Sequence, residues 1–279
     1  MKTLNKIPAP KTERFRHEWK YLISVGEWEM MRARMQGVFK KDENAADGFY
    51  MIRSLYFDDY WDTAYDQKEA GVLERAKWRI RIYNYSDSVI KLERKKKYDA
   101  YIFKESASLT REEFFRILDG DYGFLLSHPK KLCREFYVEC TANLMRPRTI
   151  VDYEREPWIL DAGTVRITFD MNVRAAVGGW NIFDPELPTL SCIDPGQLVL
   201  EVKYTEFLPQ LVRDLLPPQA ADITAFSKYC MCYDKSAYLR QSEYWFEDGH
   251  QMPARSRAFA RDYKSEDYNF EHYSKGDTV

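Results

Sequence analysis

The sequence predicts an α+β fold in which an antiparallel sheet, closed or strongly curled, surrounds a charged interior. Three observations lead to this prediction. Several segments alternate charged and apolar residues at the two-residue period of a β-strand. Each charged row joins Arg or Lys to an acidic or polar residue, and amphipathic helices are available to cover the apolar rows. Because unpaired buried charge is very costly, such an interior must hold water and a polyanion.

A predicted β-hairpin over residues 77–97 gives the clearest example of this alternation. Its charged row consists of Lys77, Arg79, Arg81 and Tyr83 on the first strand and of Lys91, Glu93 and Lys95 on the second. Residues 84–88, Asn-Tyr-Ser-Asp-Ser, have the composition of the connecting turn. A sheet with its charged face in water would account for one hairpin. Repetition of the pattern along the chain favours the charged interior.

The pattern recurs in a first strand at 14–23, in a strand at 147–156 and in two later strands. The charged or polar rows are Arg16, Glu18 and Lys20, then Tyr153 and Arg155 beside Val151, then Arg166, Thr168 and Asp170, and finally Glu201 and Lys203. A strand at 54–58 has Tyr56 and Asp58 on its polar side, and a strand near 99–104 carries Lys104.

Helices are predicted between these strands. In a helix at 26–40, one face carries Trp28, Met31, Met35 and Val38. A helix at 61–70 ends at Gly71, and a Thr110-Arg-Glu-Glu113 capping box opens a helix at 110–118. A helix at 130–144 is amphipathic through Leu132, Phe136, Val138, Cys140 and Leu144. A Gly/Pro-rich loop is expected at 178–197, and helices at 205–216 and 228–240 complete the domain.

The chain is expected to form one tunnel-like domain over residues 14–243, with a polar lead at 1–13 and a polar tail at 244–279. Its net charge of −2 and isoelectric point near 6.2 argue against a nucleic-acid-binding protein. Five cysteines without a Cys-x-x-Cys motif, together with a polar N-terminus, predict reduced thiols and a cytoplasmic location. No apolar run approaches the ~20 residues of a membrane span, although a membrane-protein partner remains compatible with the sequence.

The basic rows predict a site for a polyphosphate or a nucleoside triphosphate, which Arg and Lys side chains bind. The candidate ligands are Lys20, Lys77, Arg79, Arg81, Lys91, Lys95, Lys104, Arg155, Arg166, Lys203 and Lys228. Ser227 is either the N-cap of the last helix or, with Lys228, part of a phosphate site at the helix N-terminus.

Mg²⁺ or Mn²⁺ is usually held by one or two carboxylates together with substrate phosphates. Glu201 is the first candidate because it shares a strand face with Lys203, and Glu18 and Glu93 follow. Each carboxylate alone is also explained as a salt-bridge partner. Phosphoryl transfer requires alignment and charge neutralisation and needs no nucleophilic side chain. The sequence contains neither a Ser-His-Asp arrangement nor a Gly-rich phosphate loop.

Eight motifs, in this order along residues 14–240, resemble the vacuolar-transporter-chaperone (VTC) domain, a branch of the CYTH-like triphosphate tunnel metalloenzymes. They are Arg16-x-Glu18-x-Lys20-Tyr21, Ser54-Leu55-Tyr56-Phe57-Asp58, Arg79-x-Arg81-x-Tyr83, Leu92-Glu93-Arg94-Lys95, Tyr153-x-Arg155, Arg166-x-Thr168-x-Asp170, Val199-Leu200-Glu201-Val202-Lys203 and Phe226-Ser227-Lys228-Tyr229.

The resemblance implies a closed antiparallel eight-stranded β tunnel with helices packed on the outside. It implies a polyphosphate polymerase that transfers the terminal phosphate of ATP to a growing chain with Mn²⁺ or Mg²⁺ bound. On the matching positions, phosphates would be held by Lys20, Arg79, Arg81, Lys95, Arg155, Arg166, Lys203 and Lys228. Tyr153 would lie beside them, and Glu201 would take the metal.

One departure separates the chain from the CYTH triphosphatases, which open with Glu-x-Glu-x-Lys, because Arg16 stands at the first position. The departure favours the polymerase. Two alternatives remain: a tunnel triphosphatase acting on inorganic or nucleoside triphosphate, and a non-catalytic sensor of polyphosphate or nucleotide. The sequence also suggests a stand-alone, bacterial-type version without a phosphate-sensing domain or membrane helices. It does not indicate the oligomeric state.

Overall fold

Antiparallel strands and flanking helices make up the computed structural model, which describes residues 17–45, 48–98, 101–205, 207–216 and 226–244. The strands are β1 (His17–Ser24), β2 (Lys40–Lys41), β3 (Tyr50–Asp58), β4 (Glu74–Tyr83), β5 (Ser86–Tyr98), β6 (Tyr101–Leu109), β7 (Arg146–Leu160), β8 (Val165–Ala176), β9 (Thr189–Ser191) and β10 (Gln197–Tyr204). The helices are α1 (Val25–Met35), α2 (Thr63–Glu69), α3 (Arg111–Leu118), α4 (Lys131–Ala142), α5 (Gln210–Leu215) and α6 (Lys228–Tyr244).

Hydrogen bonding joins the strands in the order β1-β10-β8-β7-β3-β4-β5-β6, and every neighbouring pair is antiparallel. The short strands β2 and β9 pair with β7 and β8 outside this path. The α+β class and the antiparallel sheet are therefore confirmed. The sequence did not predict the two short strands, because β2 has only two residues and β9 lies inside the expected loop at 178–197.

The sheet is strongly curled, because side chains from near its two ends touch. Glu18 on β1 and Lys95 on β5 form an ion pair with Oε2 and Nζ 2.9 Å apart, although five strands separate them along the path. We call the face that carries these two side chains the inner face. Lys77, Arg79 and Arg81 of the hairpin belong to it, while Trp78, Ile80 and Ile82 are buried on the outer face.

Helices cover the outer face, as predicted. One buried cluster packs α3 and α4 against the outer residues of β4 and β5, and it includes Phe114, Phe136 and Leu92. A second cluster packs α1 and α5 against β1, β8 and β10 through Met31, Val212 and other apolar side chains. The capping box at Thr110 is present, and Ser24 forms a second one at the start of α1.

The inner face is not charged throughout, which corrects the expectation of a uniformly charged interior. Ile52, Val151 and Val199 form an apolar cluster with the first turns of α6. Part of it comes from β8, where Asn172 has a positive φ of 51° and the register with β7 shifts. This irregularity turns Val173 and Ala175 to the inner face. Helix α6 therefore packs against inner-face residues and not, as predicted, on the outside.

Three predicted core residues are exposed. Val38 is 48% exposed because α1 ends at Met35, ahead of Gly37, whose φ of 82° stops the helix. Val138 and Leu144 are 54% and 48% exposed. Val138 lies on the solvent side of α4, and Leu144 follows the end of that helix. The predicted five-residue hairpin turn is shorter, since only Asn84 and Tyr85, both with positive φ, separate β4 from β5.

The chain divides into two compact units, Met1–Ala237 and Tyr238–Val279. All strands, α1 to α5 and the first turns of α6 belong to the first unit, and the described part of the second is the end of α6. The predicted lead at 1–13, the residue Arg16 and the tail beyond Tyr244 lie outside the described residues. Within the described ranges, no helix is both long and apolar enough to cross a membrane.

An ion pair on the outer face, between Arg53 and Asp152, leads to a prediction on stability. Both side chains are buried, and Arg53 Nη2 lies 2.8 Å from Asp152 Oδ2. We expect Arg53→Met to lower the free energy of unfolding by about 3–5 kcal/mol, because Asp152 keeps its buried charge while its main partner is lost. Urea denaturation measures the change. Lys40→Met, which breaks the exposed pair with Asp161, is the control and should shift the midpoint little. Equal effects of the two variants would contradict the prediction.

Candidate functional site

The first part of the site is a carboxylate pair on the neighbouring strands β1 and β10. Glu201 is buried, and the side chain of Glu18 is only 6% exposed. The two carboxylates share Lys20, whose Nζ lies 2.7 Å from Glu18 and 3.7 Å from Glu201. Lys203 Nζ donates to Glu201 at 2.7 Å, and Lys95 reaches Glu18 from β5. Five predicted site residues therefore meet, because alternate positions of antiparallel strands face the same side.

The second part is centred on Asp170 of β8, a fully buried carboxylate that binds two of the predicted cations. Arg155 makes a bidentate contact to it at 2.6 and 2.8 Å, and Lys228 Nζ lies 2.6 Å from Asp170 Oδ2. Arg155 Nη2 also lies 3.3 Å from Glu201 Oε2, and this contact links the second part of the site to the carboxylate pair. The ring of Tyr153 lies under both cations, about 5 Å from each.

Arg79 and Glu93 form the third part, on the hairpin. Arg79 donates to Glu93 Oε2 at 2.8 Å and to the hydroxyl of Tyr56 at 2.8 Å. Lys104 on β6 forms a second ion pair with Glu93. These contacts place Arg79, Glu93 and Lys104 together as predicted.

Two cations of β4 bind neutral groups. Arg81 is only 6% exposed and donates to Ser54 Oγ at 3.0 Å and to the Tyr153 hydroxyl at 3.2 Å. Lys77 donates to Ser227 Oγ at 3.0 Å, so Ser227 lies at the inner face. Ser227 Oγ also accepts the Cys230 amide at 3.4 Å, as an N-cap does, while the phosphate-binding role of Ser227 stays a prediction.

Two predicted residues lie apart from these groups. Arg166 pairs with Asp42 at 2.7 Å and with the Tyr50 hydroxyl at 3.1 Å, and its side chain is 37% exposed. Lys91 donates to Ser108 Oγ at 2.8 Å and joins none of the three parts described above. The phosphate-binding roles of both residues remain predictions.

Sequence reasoning did not assign Tyr56, Asp170 or Asp42 to the site. For Tyr56 and Asp170 a signal existed, since each occupies an inner position of a predicted strand. Asp42 follows the short strand β2, and its carboxylate accepts hydrogen bonds from the backbone and side-chain amides of Asn44. No periodic pattern in the sequence indicates this arrangement.

Burial and neighbouring charges shift the pKa values of several of these groups. Burial lowers the pKa of Lys77 to about 8 and that of Lys203 to about 8. Burial opposes ionisation of Glu93, but Arg79, Arg81 and Lys104 hold its pKa at about 2.

Tyr56 and the carboxylate pair are shifted as well. Burial would raise the pKa of Tyr56, yet Arg79, Arg81 and Lys77 lower it to about 8. Burial also opposes the charges of Glu18 and Glu201, but nearby lysines hold the pKa of each below the usual range. Both carboxylates are therefore ionised at neutral pH.

The carboxylate pair is the place where a divalent metal fits best. In the parts of the chain that the structure describes, no group of three or more His, Cys, Asp or Glu side chains is arranged to hold a metal. Glu18 and Glu201 offer two ionised carboxylates, and Mg²⁺ is commonly bound by one or two carboxylates with substrate phosphates. Glu18 and Glu201 are preferred to Glu93 because they are two carboxylates that share Lys20, whereas the ion pairs of Glu93 are with Arg79 and Lys104.

The pKa values predict a pH dependence of anion binding. Lys77 and Lys203 carry a charge below pH 8 and lose it above, and Tyr56 becomes an anion over the same range. We expect the Kd for tripolyphosphate to rise above pH 8, by up to about tenfold per pH unit for each lysine involved. Isothermal titration calorimetry from pH 6.5 to 9.5 measures it. Lys203→Arg is the control, because arginine stays charged above pH 8 while tripolyphosphate itself titrates in the same way. An unchanged dependence of Kd on pH in this variant would contradict the role assigned to Lys203.

Comparison with known proteins gives a family match. A family model described as the VTC domain matches residues 15–237. No curated protein matches the chain. Among solved structures, the Hippeastrum protein HpAC1, described as having a dominant triphosphatase activity, is 13% identical, with 86% of this chain and 98% of that chain covered and a TM-score of 0.46.

Two further structures show a similar degree of likeness. The PH1012 protein of Pyrococcus horikoshii is 12% identical, with 76% of this chain and 96% of that chain covered and a TM-score of 0.43. The bh2851 protein of Bacillus halodurans is 11% identical, with 72% and 86% covered and a TM-score of 0.43.

Proposed function

The chain belongs to the VTC domain family, and from this premise we propose that it is a metal-dependent polyphosphate polymerase. It transfers the terminal phosphate of ATP to a growing polyphosphate chain at the inner face of the sheet. The observation that carries the proposal is the convergence of Arg79, Arg81, Arg155 and Lys203 on the same face as the carboxylates Glu18 and Glu201.

The proposed active site binds the phosphates with cations from several strands. Arginine binds phosphate oxygens through its planar fork and lysine as a point charge. Arg81 donates to the neutral hydroxyl groups of Ser54 and Tyr153, so phosphate oxygens could replace these partners without displacing a carboxylate from these two contacts. Phosphate oxygens would replace carboxylates as partners of Arg155 and Lys203, so substrate binding would leave Asp170 and Glu201 available for new partners.

Transfer requires the terminal phosphate oxygen of the growing chain to attack the terminal phosphorus of ATP while ADP leaves. That oxygen is already ionised at neutral pH, so no side chain needs to remove a proton from it. The residues act by holding the two polyanions in line and by neutralising the charge that repels them. The buried apolar cluster of Ile52, Val151 and Val199 borders the inner face on one side and would keep water away from the transferred phosphate there, which favours transfer over hydrolysis.

Glu18 and Glu201 would hold the divalent ion, Mn²⁺ or Mg²⁺, together with substrate phosphates. When bound, the ion supplies charge neutralisation to the transferred phosphate. Lys20, Lys95 and Lys203 neutralise these carboxylates in the structure and would turn to phosphate oxygens on binding.

Three finer predictions belong to the same proposal. The eight-stranded path closes into a tunnel, since β1 and β5 already meet through their side chains. The catalytic domain extends over residues 14–243, with the lead and the tail outside it. The cytoplasmic location and a membrane-protein partner remain predictions as well.

A direct assay tests the proposal. The purified chain is incubated with ATP and either Mn²⁺ or Mg²⁺, and products are separated by gel electrophoresis with a polyphosphate stain. We expect a long acid-labile polymer and ADP in step with it, and neither in the presence of EDTA.

Two results would contradict the proposal. Free phosphate as the only phosphate product would identify a triphosphatase. Binding of ATP or tripolyphosphate in calorimetry without turnover of either would identify a sensor. Arg94→Ala, which removes an arginine from the outer face of β5, is the control for general loss of basic charge and should keep the activity.

A further inference from the structure

Two cysteines, Cys192 and Cys232, lie at the apolar inner cluster of the first unit. Cys192 follows β9, and its amide donates to Val173 O at 2.9 Å. Cys232 lies on α6, and its Sγ lies 3.5 Å from Arg174 O. Both cysteines therefore pack against consecutive residues of β8. Cys192 packs on the cluster that contains Cys232. Its Sγ lies 3.4 Å from Leu190 O, on the segment that pairs with β8 next to Arg174, so the two thiols point at neighbouring backbone carbonyls.

The two thiols differ in access to solvent. Cys192 borders an open pocket of about 190 Å³, which is also lined by Asp194, Met231 and Lys235. Cys232 is fully buried behind it. A small disulfide reagent can therefore reach Cys192 through the pocket but cannot reach Cys232 directly.

The electrostatic setting makes Cys192 the better nucleophile of the two. The neighbouring Cys232 thiol lowers the pKa of Cys192 and Lys235 adds to this, while burial and Asp234 oppose the shift. Burial raises the pKa of the Cys232 thiol well above its ordinary value, and the neighbouring Cys192 charge contributes. A partly accessible low-pKa cysteine beside a second cysteine is the usual arrangement of a thiol that is oxidised reversibly.

The other cysteines lack this combination. Cys133 and Cys140 are buried between α4 and the outer face, and burial raises their pKa values to about 11 and about 12. Cys230 is buried next to Lys77 on the inner face, and burial raises its pKa as well.

We propose that Cys192 and Cys232 form a redox-active dithiol that closes to a reversible disulfide by exchange with low-molecular-weight disulfides such as glutathione disulfide. The Cys192 thiolate attacks one sulfur of glutathione disulfide, whose S–S bond breaks and releases one glutathione thiolate. Cys232 then attacks the Cys192 sulfur and releases the second. Two protein thiols are oxidised, one glutathione disulfide is reduced to two thiols, and the two protons end on the released glutathione.

The second step is favoured once the first has occurred. Conversion of Cys192 to a mixed disulfide removes the neighbouring negative charge that helps to keep Cys232 protonated. The resulting bond would fasten α6, one turn after Lys228, to the segment that follows β9. This inference does not depend on the proposed enzymatic function.

Peptide mapping by mass spectrometry tests the inference on the full chain. The reduced protein is treated with glutathione disulfide, quenched with acid at set times, alkylated and digested. We expect Cys192 to react at least about tenfold faster than any other cysteine and to end as a Cys192–Cys232 disulfide that dithiothreitol reverses.

Variants separate the two steps. Cys232→Ser should stop at a glutathione adduct on Cys192, Cys192→Ser should leave Cys232 unmodified, and the control Cys230→Ser should form the same disulfide as the original chain. Persistence of both thiols in the unaltered chain, or a disulfide that uses Cys230, would overturn the inference. Because the mapping of the unaltered chain already decides it, the result stands even if a variant fails to fold.

Discussion

Glu201→Gln is expected to reduce polyphosphate synthesis by about 100-fold or more, because it removes one of the two carboxylates proposed to hold the metal. Glutamine keeps the size of the side chain but loses the charge. The same change removes a negative charge next to Lys20, Lys203 and Arg155. Tripolyphosphate binding without metal should therefore become equal or stronger while synthesis is lost. Steady-state kinetics and calorimetry on the same preparation measure both.

Glu105→Gln is the matched control for this variant. Glu105 lies on β6 and pairs with Arg94 on the outer face of the sheet. It should therefore leave synthesis unchanged within about twofold, as expected for a residue that touches neither substrate nor metal. Equal losses in the two variants, or weaker metal-free binding in Glu201→Gln, would contradict the role proposed for Glu201.

Arg81→Ala is expected to weaken tripolyphosphate binding by about 100-fold and to abolish measurable synthesis. Two charge-assisted hydrogen bonds to phosphate are worth about 3 kcal/mol together after competition with water. The charge of Arg81 faces hydroxyl groups of Ser54 and Tyr153, so no carboxylate contact has to be broken for phosphate to bind. The same calorimetric titration at fixed ionic strength measures the loss.

Two further variants sharpen this result. Arg81→Lys keeps the charge and loses the planar fork, so it should recover only part of the affinity. Arg94→Ala removes an arginine of similar burial on the adjacent strand, where it contacts Glu105, Glu135 and the Trp78 ring. It should bind tripolyphosphate normally. Full recovery of affinity by lysine, or an equal loss in Arg94→Ala, would show that Arg81 contributes general charge and not a phosphate contact.

Where a strand keeps its regular alternation, the sequence pattern was sufficient to predict which of its residues lie on the inner face. The two-residue period placed Lys77, Arg79 and Arg81 opposite Trp78, and the structure keeps that assignment. Antiparallel register then brought Glu201 beside Lys20 without any further information. These features depend on the alternation of side chains along a strand, which the two-residue period of the sequence indicates directly.

Other features arise from tertiary structure and leave no periodic pattern in the sequence. The positive φ of Asn172 reverses the side-chain alternation of β8, so Val173 lies on the inner face although its parity predicts the outer one. Asp42 reaches Arg166 from a loop. The contact between Cys192 and Cys232 depends on how α6 packs, which no motif in the chain indicates.

Phosphates are expected to bind among the cations of the inner face, and a crystal structure of the chain with tripolyphosphate bound decides whether they do. We expect phosphate oxygens within hydrogen-bonding distance of Arg79, Arg81 and Arg155, and any bound Mn²⁺ in contact with Glu201. Tripolyphosphate on the outer face, with Arg79, Arg81 and Arg155 still bound to their present partners, would contradict it.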